Sequence, residues 1–155
     1  MKKLKWLGML LVLATLVFII PMDTLAVNSG YPDMTGTYTA VINAYIHTLN
    51  GVKMTQIKHL VINVTSQTDG VISAATVTLS DLSATVNLTG TVGSGKAPYL
   101  SLQGTDDSGD FSLVIIAKVY LNSKTGAVTR ISGRVQGTIN AATVTWLAAT
   151  FHAVK

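Results

Sequence analysis

Residues 82–89 read LSATVNLT, and every second residue of this stretch, starting at Leu82, is apolar. Ser, Thr and Asn occupy the positions between them. A β-strand points successive side chains to opposite faces of its sheet, so a period of two predicts a strand with one buried face and one hydrated face. An amphipathic helix would instead repeat its apolar residues about every three to four positions.

The same alternation recurs along the chain in eight β-branched runs. They cover residues 37–49, 52–66, 71–80, 83–92, 99–104, 111–121, 127–139 and 143–154. The links between them are short and contain Gly, Asn and Asp, and two of them carry Asn50-Gly51 and Asp69-Gly70, the pairs most typical of tight hairpin turns. Such links favour antiparallel neighbours, so an all-β domain with strands in sequential order is expected.

The run 127–139 carries two glycines on its apolar side. Ile131, Val135 and Ile139 form that side, and Gly133 and Gly137 share it. A glycine inside a strand often marks a bend or a place where the sheet curls tightly.

Eight antiparallel strands in sequence predict an up-and-down β-barrel, because closing the meander removes its two exposed edges. A barrel of eight strands is just wide enough to be filled by side chains or to hold one small ligand. A two-sheet β-sandwich fits the same strand count and is the alternative.

Three short segments resemble the calycin group, which comprises lipocalin-like and avidin-like barrels. They are Gly36-Thr37-Tyr38 at the first strand, 88–91 (LTGT) and 131–137 (ISGRVQG). The resemblance implies a calycin-like barrel. It does not extend to biotin, because Tyr38 stands where avidin-like openings carry Trp and the only Trp after residue 26 is Trp146.

The first 26 residues have the pattern of a signal peptide, which would form a helix before the barrel. A basic start is followed by an apolar run at 6–20, then Pro21 and small residues up to Ala26. We therefore predict cleavage after Ala26, a flexible lead-in at 27–35, a barrel domain at 36–155, and a secreted, periplasmic or cell-surface location. An uncleaved anchor is the alternative, although about 20 apolar residues are needed to span a bilayer.

The composition excludes several classes of function. The chain has no Cys, which rules out disulfides, thiolate metal sites and a lipid-modified cysteine. After residue 26, eight Lys and Arg face six Asp, and no run of basic residues remains. Nucleic-acid binding therefore lacks its usual electrostatic signature. No cofactor is indicated, and contact with a membrane is expected only through the signal segment before cleavage.

Three patterns could in principle bind ions. Residues 90–96 match the letters of a phosphate-binding loop, but Ala97, Pro98 and a strand follow instead of the required helix. Asp106, Asp107 and Asp110 are weak candidates for calcium, with a solvated turn as the simpler interpretation.

The histidines are the third pattern. His47, His59 and His152 lie on three predicted strands, and three imidazoles on one face could bind zinc or copper. Surface histidines are the default interpretation.

No catalytic constellation is present. The Gly-x-Ser-x-Gly elbow is absent, and every Asp after residue 26 lies in a predicted loop or the lead-in, so no carboxylate pair faces across two strands. We therefore expect a protein that is not an enzyme.

Two function classes follow. The first is a binding module that holds a small apolar or amphiphilic ligand in the barrel mouth. Its candidate contacts are Tyr38, Tyr45, Tyr99, Phe111, Tyr120 and Trp146. The alternative is a structural or surface-assembly subunit that pairs with other copies, since the runs 111–120 and 144–154 are apolar on both faces.

Overall fold

The computed structural model describes residues 30–140 and 145–155 as one closed, eight-stranded antiparallel barrel in up-and-down order. The strands are β1 (Gly36–Thr48), β2 (Gly51–Thr68), β3 (Val71–Leu79), β4 (Ala84–Val92), β5 (Tyr99–Thr105), β6 (Ser112–Leu121), β7 (Val128–Asn140) and β8 (Thr145–Val154). A single 3₁₀ turn, Ser80–Leu82, joins β3 to β4. The predicted barrel is confirmed, and the sandwich alternative is wrong because β8 pairs with β1.

The predicted signal peptide and its cleavage site lie outside the described residues. In the part of the chain that is described, no helix has the length and apolar character to cross a membrane.

The inside of the barrel is filled by aliphatic side chains. Along β6, Leu113, Ile115, Ala117 and Val119 point inward, and the other strands contribute in the same alternating way. No apolar side chain of this core exposes more than 8 % of its surface. A cavity large enough for a ligand would leave its lining accessible to water, so the described interior is a packed core.

One end of the barrel is closed by the segment before β1. Pro32 and Met34 are buried there. The Gln67 side chain holds this segment on both sides: its amide donates to the Pro32 carbonyl at 2.8 Å, and its oxygen accepts from the Met34 amide at 2.9 Å. The described residues of the predicted flexible lead-in, 30–35, are therefore anchored to the barrel.

Four strand glycines lie where a neighbouring strand passes too close for any side chain. A Cβ at Gly133 would overlap the Ile116 carbonyl oxygen, and one at Gly137 would overlap that of Ser112. Gly90 and Gly104 make equivalent approaches between β4 and β5. These four positions therefore require glycine, and the bends expected at Gly133 and Gly137 stay a prediction.

The β1–β2 hairpin extends beyond the rest of the barrel. β2 pairs with β3 only from Leu60 to Thr68, because β3 has half the length of β2. A bulge at Lys58 and His59 lies next to this point, and the Asp81 carboxylate accepts hydrogen bonds from both of their amides, at 2.6 and 3.3 Å. Within the described residues, 51–59 therefore have no strand partner on the β3 side.

We predict that Gly137→Ala lowers the free energy of unfolding by about 3 kcal/mol or more, because the added methyl group must displace the β6 backbone. Urea unfolding of the purified protein measures this. Gly93→Ala is the matched control: its Cβ would lie 3.6 Å from the nearest atom, so its effect is expected within about 0.5 kcal/mol. Equal effects of the two changes would contradict the close approach of the β6 backbone to Gly137.

Candidate functional site

The six aromatic residues predicted to line the barrel mouth do not come together. Tyr38 alone among them points into the core. Phe111 is half-buried and packs against the core from the loop before β6. The remaining four, Tyr45, Tyr99, Tyr120 and Trp146, lie on the outer surface.

Strand parity explains why they separate. On β1 the inward positions are Tyr38, Ala40, Ile42 and Ala44, so Tyr45 must point outward. On β8, Leu147 and Ala149 point inward, which turns Trp146 to the outside with 43 % of its surface exposed. These six side chains therefore do not line one ligand site in the barrel mouth.

Tyr38 has a structural role at the closed end. Its hydroxyl donates to the Met34 carbonyl at 2.9 Å. Burial, with a smaller contribution from the negative charge of Asp33, raises the pKa of the phenol well above its usual range. The hydroxyl therefore stays protonated and fastens the segment that closes the barrel.

The Asp-rich loop satisfies its own hydrogen bonds. One oxygen of Asp106 accepts from the Phe111 amide at 2.9 Å, and the other accepts from the Ser108 hydroxyl. These hydrogen bonds lower the pKa of Asp106, and the one from the Ser108 hydroxyl contributes most. The described residues contain no group of three His, Asp or Glu side chains arranged to hold a metal ion, so the calcium candidates Asp106, Asp107 and Asp110 are not brought together as a site.

The three histidines all lie outside the core, but not together. His47 stacks on Trp146 with ring centroids 3.6 Å apart and nearly parallel planes. His59, which is part of the β2 bulge, and His152 line a different shallow depression. Residues 90–96, which match the phosphate-binding loop pattern, do not form such a loop. Gly90 is part of β4, and residues 93–98 form a turn between two strands.

A groove runs along β6 on the outer face of the barrel. We call it the β6 groove. It consists of two adjoining depressions, of about 600 and 500 Å³, which share Lys118. The first is lined chiefly by Lys96, Ala97, Tyr120, Leu121 and Asn122, and the second by Tyr99, Val114, Ile116, Arg134 and Gln136.

Register places these side chains beside one another. On β6, Val114, Ile116, Lys118 and Tyr120 point outward, alternating with the core residues. Lys118 lies opposite Tyr99 on β5. On the other side, Arg134 of β7 lies opposite Ile116, and Arg130 lies opposite Tyr120. The groove thus combines apolar, aromatic and cationic groups.

The cations of this surface have no carboxylate partners among the described residues. Arg130 and Lys118 both approach the Tyr120 ring, with the guanidinium carbon 4.1 Å and the ammonium nitrogen 5.3 Å from its centroid. A cation–π contact positions a cation without neutralising it. The surface therefore keeps its positive charge.

The sequence offered one signal for this groove, namely the two-sided apolar character of 111–120. Ile116 accounts for it, since it points outward and is 53 % exposed. Lys96, Lys118, Arg130 and Arg134 are scattered in the sequence, and no local pattern indicates that they meet.

Comparison with known proteins adds no assignment, since no family model, curated protein or solved structure matches this chain. The chemistry of the groove must therefore be argued from its own residues. Its lining includes no Asp, Glu or His, so it lacks a carboxylate or imidazole to take up a proton. Cationic, aromatic and apolar side chains together are suited to binding.

The Asp106 hydrogen bonds make stability depend on pH. Because the folded state lowers this pKa, the contribution is fully present above the carboxyl's unfolded pKa of about 3.9 and is lost as the pH falls through the lower folded value. We predict that Asp106→Asn flattens the loss of unfolding free energy between about pH 5 and pH 2. Urea unfolding across that range measures it.

Asp107→Asn is the control, since it removes the same charge from the loop and leaves the Asp106 hydrogen bonds in place. A pH dependence altered equally by both changes would show that loop charge, rather than these bonds, is responsible.

Proposed function

We propose that this domain is an exported, non-enzymatic binding module of calycin type that holds a small amphiphilic molecule in the β6 groove. The supporting observation is an open groove with an exposed apolar side chain, Ile116, between an aromatic ring and several cations. The depressions of about 600 and 500 Å³ fall in the range typical of small-ligand sites.

The packed interior favours an external site. Eight-stranded barrels can hold a ligand inside only where the core leaves space. Here aliphatic side chains occupy the described interior, and Met34 closes one end. A ligand therefore needs the outer face, and the β6 groove offers a concave surface there with exposed apolar side chains.

Ile116 and its neighbours provide the apolar contact. Ile116 and Val114 follow one another on the outer face of β6, with Tyr99 on the adjacent strand. Covering such side chains stabilises a complex by about 25 cal/mol per Å² of apolar surface removed from water. A molecule with an alkyl portion fits this stretch, and its polar portion would then lie towards Lys118.

We predict that octyl glucoside, used as a neutral amphiphile below its micelle concentration, binds this groove and that Ile116→Ser weakens binding about fivefold. The expected factor corresponds to about 1 kcal/mol of lost apolar contact. Binding is followed by NMR chemical-shift changes on the secreted protein.

Val71→Ser is the matched control, because Val71 is likewise an exposed β-branched residue of a strand but lines neither depression of the groove. Shift changes centred on core residues such as Phe151, or equal weakening by both substitutions, would contradict the proposed location.

Assembly with other copies is the second candidate, and the protruding β1–β2 hairpin favours it. Tyr45 lies opposite Met54, and His47 lies opposite both Val52 and Trp146. These neighbours form an exposed, largely apolar patch beside the unpaired part of β2. Lys53 and Lys58 lie in that part of β2, and lysines on a strand edge disfavour pairing with another strand, so this candidate ranks second.

If the hairpin mediates assembly, Met54→Lys should weaken self-association at least about tenfold, because an unpaired charge would be buried between the copies. Sedimentation velocity over a concentration series measures this, with Val71→Lys as control. A monomer at every concentration would rule out this candidate.

A further inference from the structure

We infer that the ligand of the β6 groove carries an anionic head, a phosphate monoester or carboxylate, held between Lys96 and Lys118. This inference rests on the proposed function and specifies its ligand class. The proposed ligand is a small amphiphilic anion rather than a polymer or a membrane.

The charges of the domain are segregated by the fold. Residues 30–155 contain six Asp, and all of them lie outside the strands, in the segment before β1 or in the links between strands. Four of the eight Lys and Arg, namely Lys96, Lys118, Arg130 and Arg134, line the β6 groove or contact its Tyr120. The groove is therefore a positive surface on a domain whose net charge is close to neutral.

These cations are positioned without being neutralised. Tyr120 holds Lys118 and Arg130 over its ring, while the described residues supply no carboxylate to either. Lys118 lies beside the positive charge of Arg130, and an anion bound at Lys118 offsets that repulsion as well as forming its own ion pairs. A neutral head would gain neither contribution.

The turn that carries Lys96 is tied down. The Gly93 amide donates to the Tyr99 carbonyl at 2.8 Å, and the Val119 amide donates to the Pro98 carbonyl at 2.9 Å. The Gly95 amide also donates to the Gly30 carbonyl at 3.1 Å. Little backbone ordering is then needed on binding, which reduces its entropic cost.

The groove also orients the ligand. Lys118 lines both depressions, and Lys96 lines the first of them. The anionic head therefore lies in the first depression. From Lys118 the outer face of β6 continues through Ile116 to Val114, a distance of about 13 Å at about 3.3 Å per residue. An alkyl chain follows this line, beside Tyr99 and the aliphatic stem of Arg134.

The test compares octyl phosphate, octyl glucoside and octyltrimethylammonium on the secreted protein by isothermal titration calorimetry below micelle concentrations. We expect octyl phosphate to bind about tenfold more tightly than octyl glucoside, since two exposed ion pairs contribute about 0.5–1 kcal/mol each. The cationic amphiphile should bind more weakly than both. Inorganic phosphate, which has no chain, should bind at least about tenfold more weakly than octyl phosphate.

Lys96→Gln and Lys118→Gln should each weaken octyl phosphate about threefold, and they should weaken octyl glucoside by a smaller factor because only the anion loses an ion pair. Lys53→Gln, a lysine of the distant hairpin, should change neither affinity.

Each contrary outcome has a distinct meaning. Equal affinity for octyl phosphate and octyl glucoside, with Ile116→Ser weakening both, overturns the anion inference and leaves the proposed function standing. Binding of none of the three octyl probes overturns both. If inorganic phosphate binds as tightly as octyl phosphate, the groove is a simple anion site and the inference is wrong. If phosphatidylglycerol vesicles bind tightly and monomeric octyl phosphate does not bind, the groove is a membrane-binding surface and the inference is also wrong.

Discussion

Closure of the sheet on itself is the constraint on which the rest of this structure depends. Once β8 pairs with β1, eight strands must curl around a narrow interior, and neighbouring strands approach closely at the corners. Gly133 and Gly137 lie at one corner, and Gly90 and Gly104 at another, because a Cβ there would overlap a backbone carbonyl. The interior left by this curvature is filled by aliphatic side chains and closed at one end by Met34.

A filled interior moves recognition to the outside of the barrel. Alternation along each strand gives the outer face as many side chains as the core, and around most of the barrel these are Thr, Ser and Asn. β6 departs from this pattern because it carries Ile116, Lys118 and Tyr120 outward. The β1–β2 hairpin is the second exception. Its apolar patch is separate in sequence from the β6 groove, although Tyr45 of the patch lines a common depression with Arg134 and Gln136 of the groove.

The strand pattern could be predicted from the sequence because the period of two and the turn residues are local signals. The same local pattern correctly placed Gly133 and Gly137 within a strand. The six aromatic residues were grouped wrongly because large aromatic side chains were expected in a ligand cavity, whereas parity alone separates Tyr38 from Tyr45 on the same strand. The anchoring of the segment before β1 had no local signal. Met34 stands alone without a periodic partner, and Gln67, which holds it, lies on β2, 33 residues further along the chain.

The sequence by itself determined that this chain forms a cysteine-free, all-β domain of sequential antiparallel strands, because alternation and tight turns act over a few residues. Closure into a barrel rather than a sandwich was decided by the pairing of β8 with β1. Only the tertiary structure decided which side chains meet. Lys96, Lys118 and Arg134 form no cluster along the chain. Lys118 and Arg134 line one groove because the registers of β5, β6 and β7 bring outward positions side by side, and the turn before β5 adds Lys96. Register depends on bulges, corner glycines and closure of the whole sheet together, so no local stretch of sequence contains it.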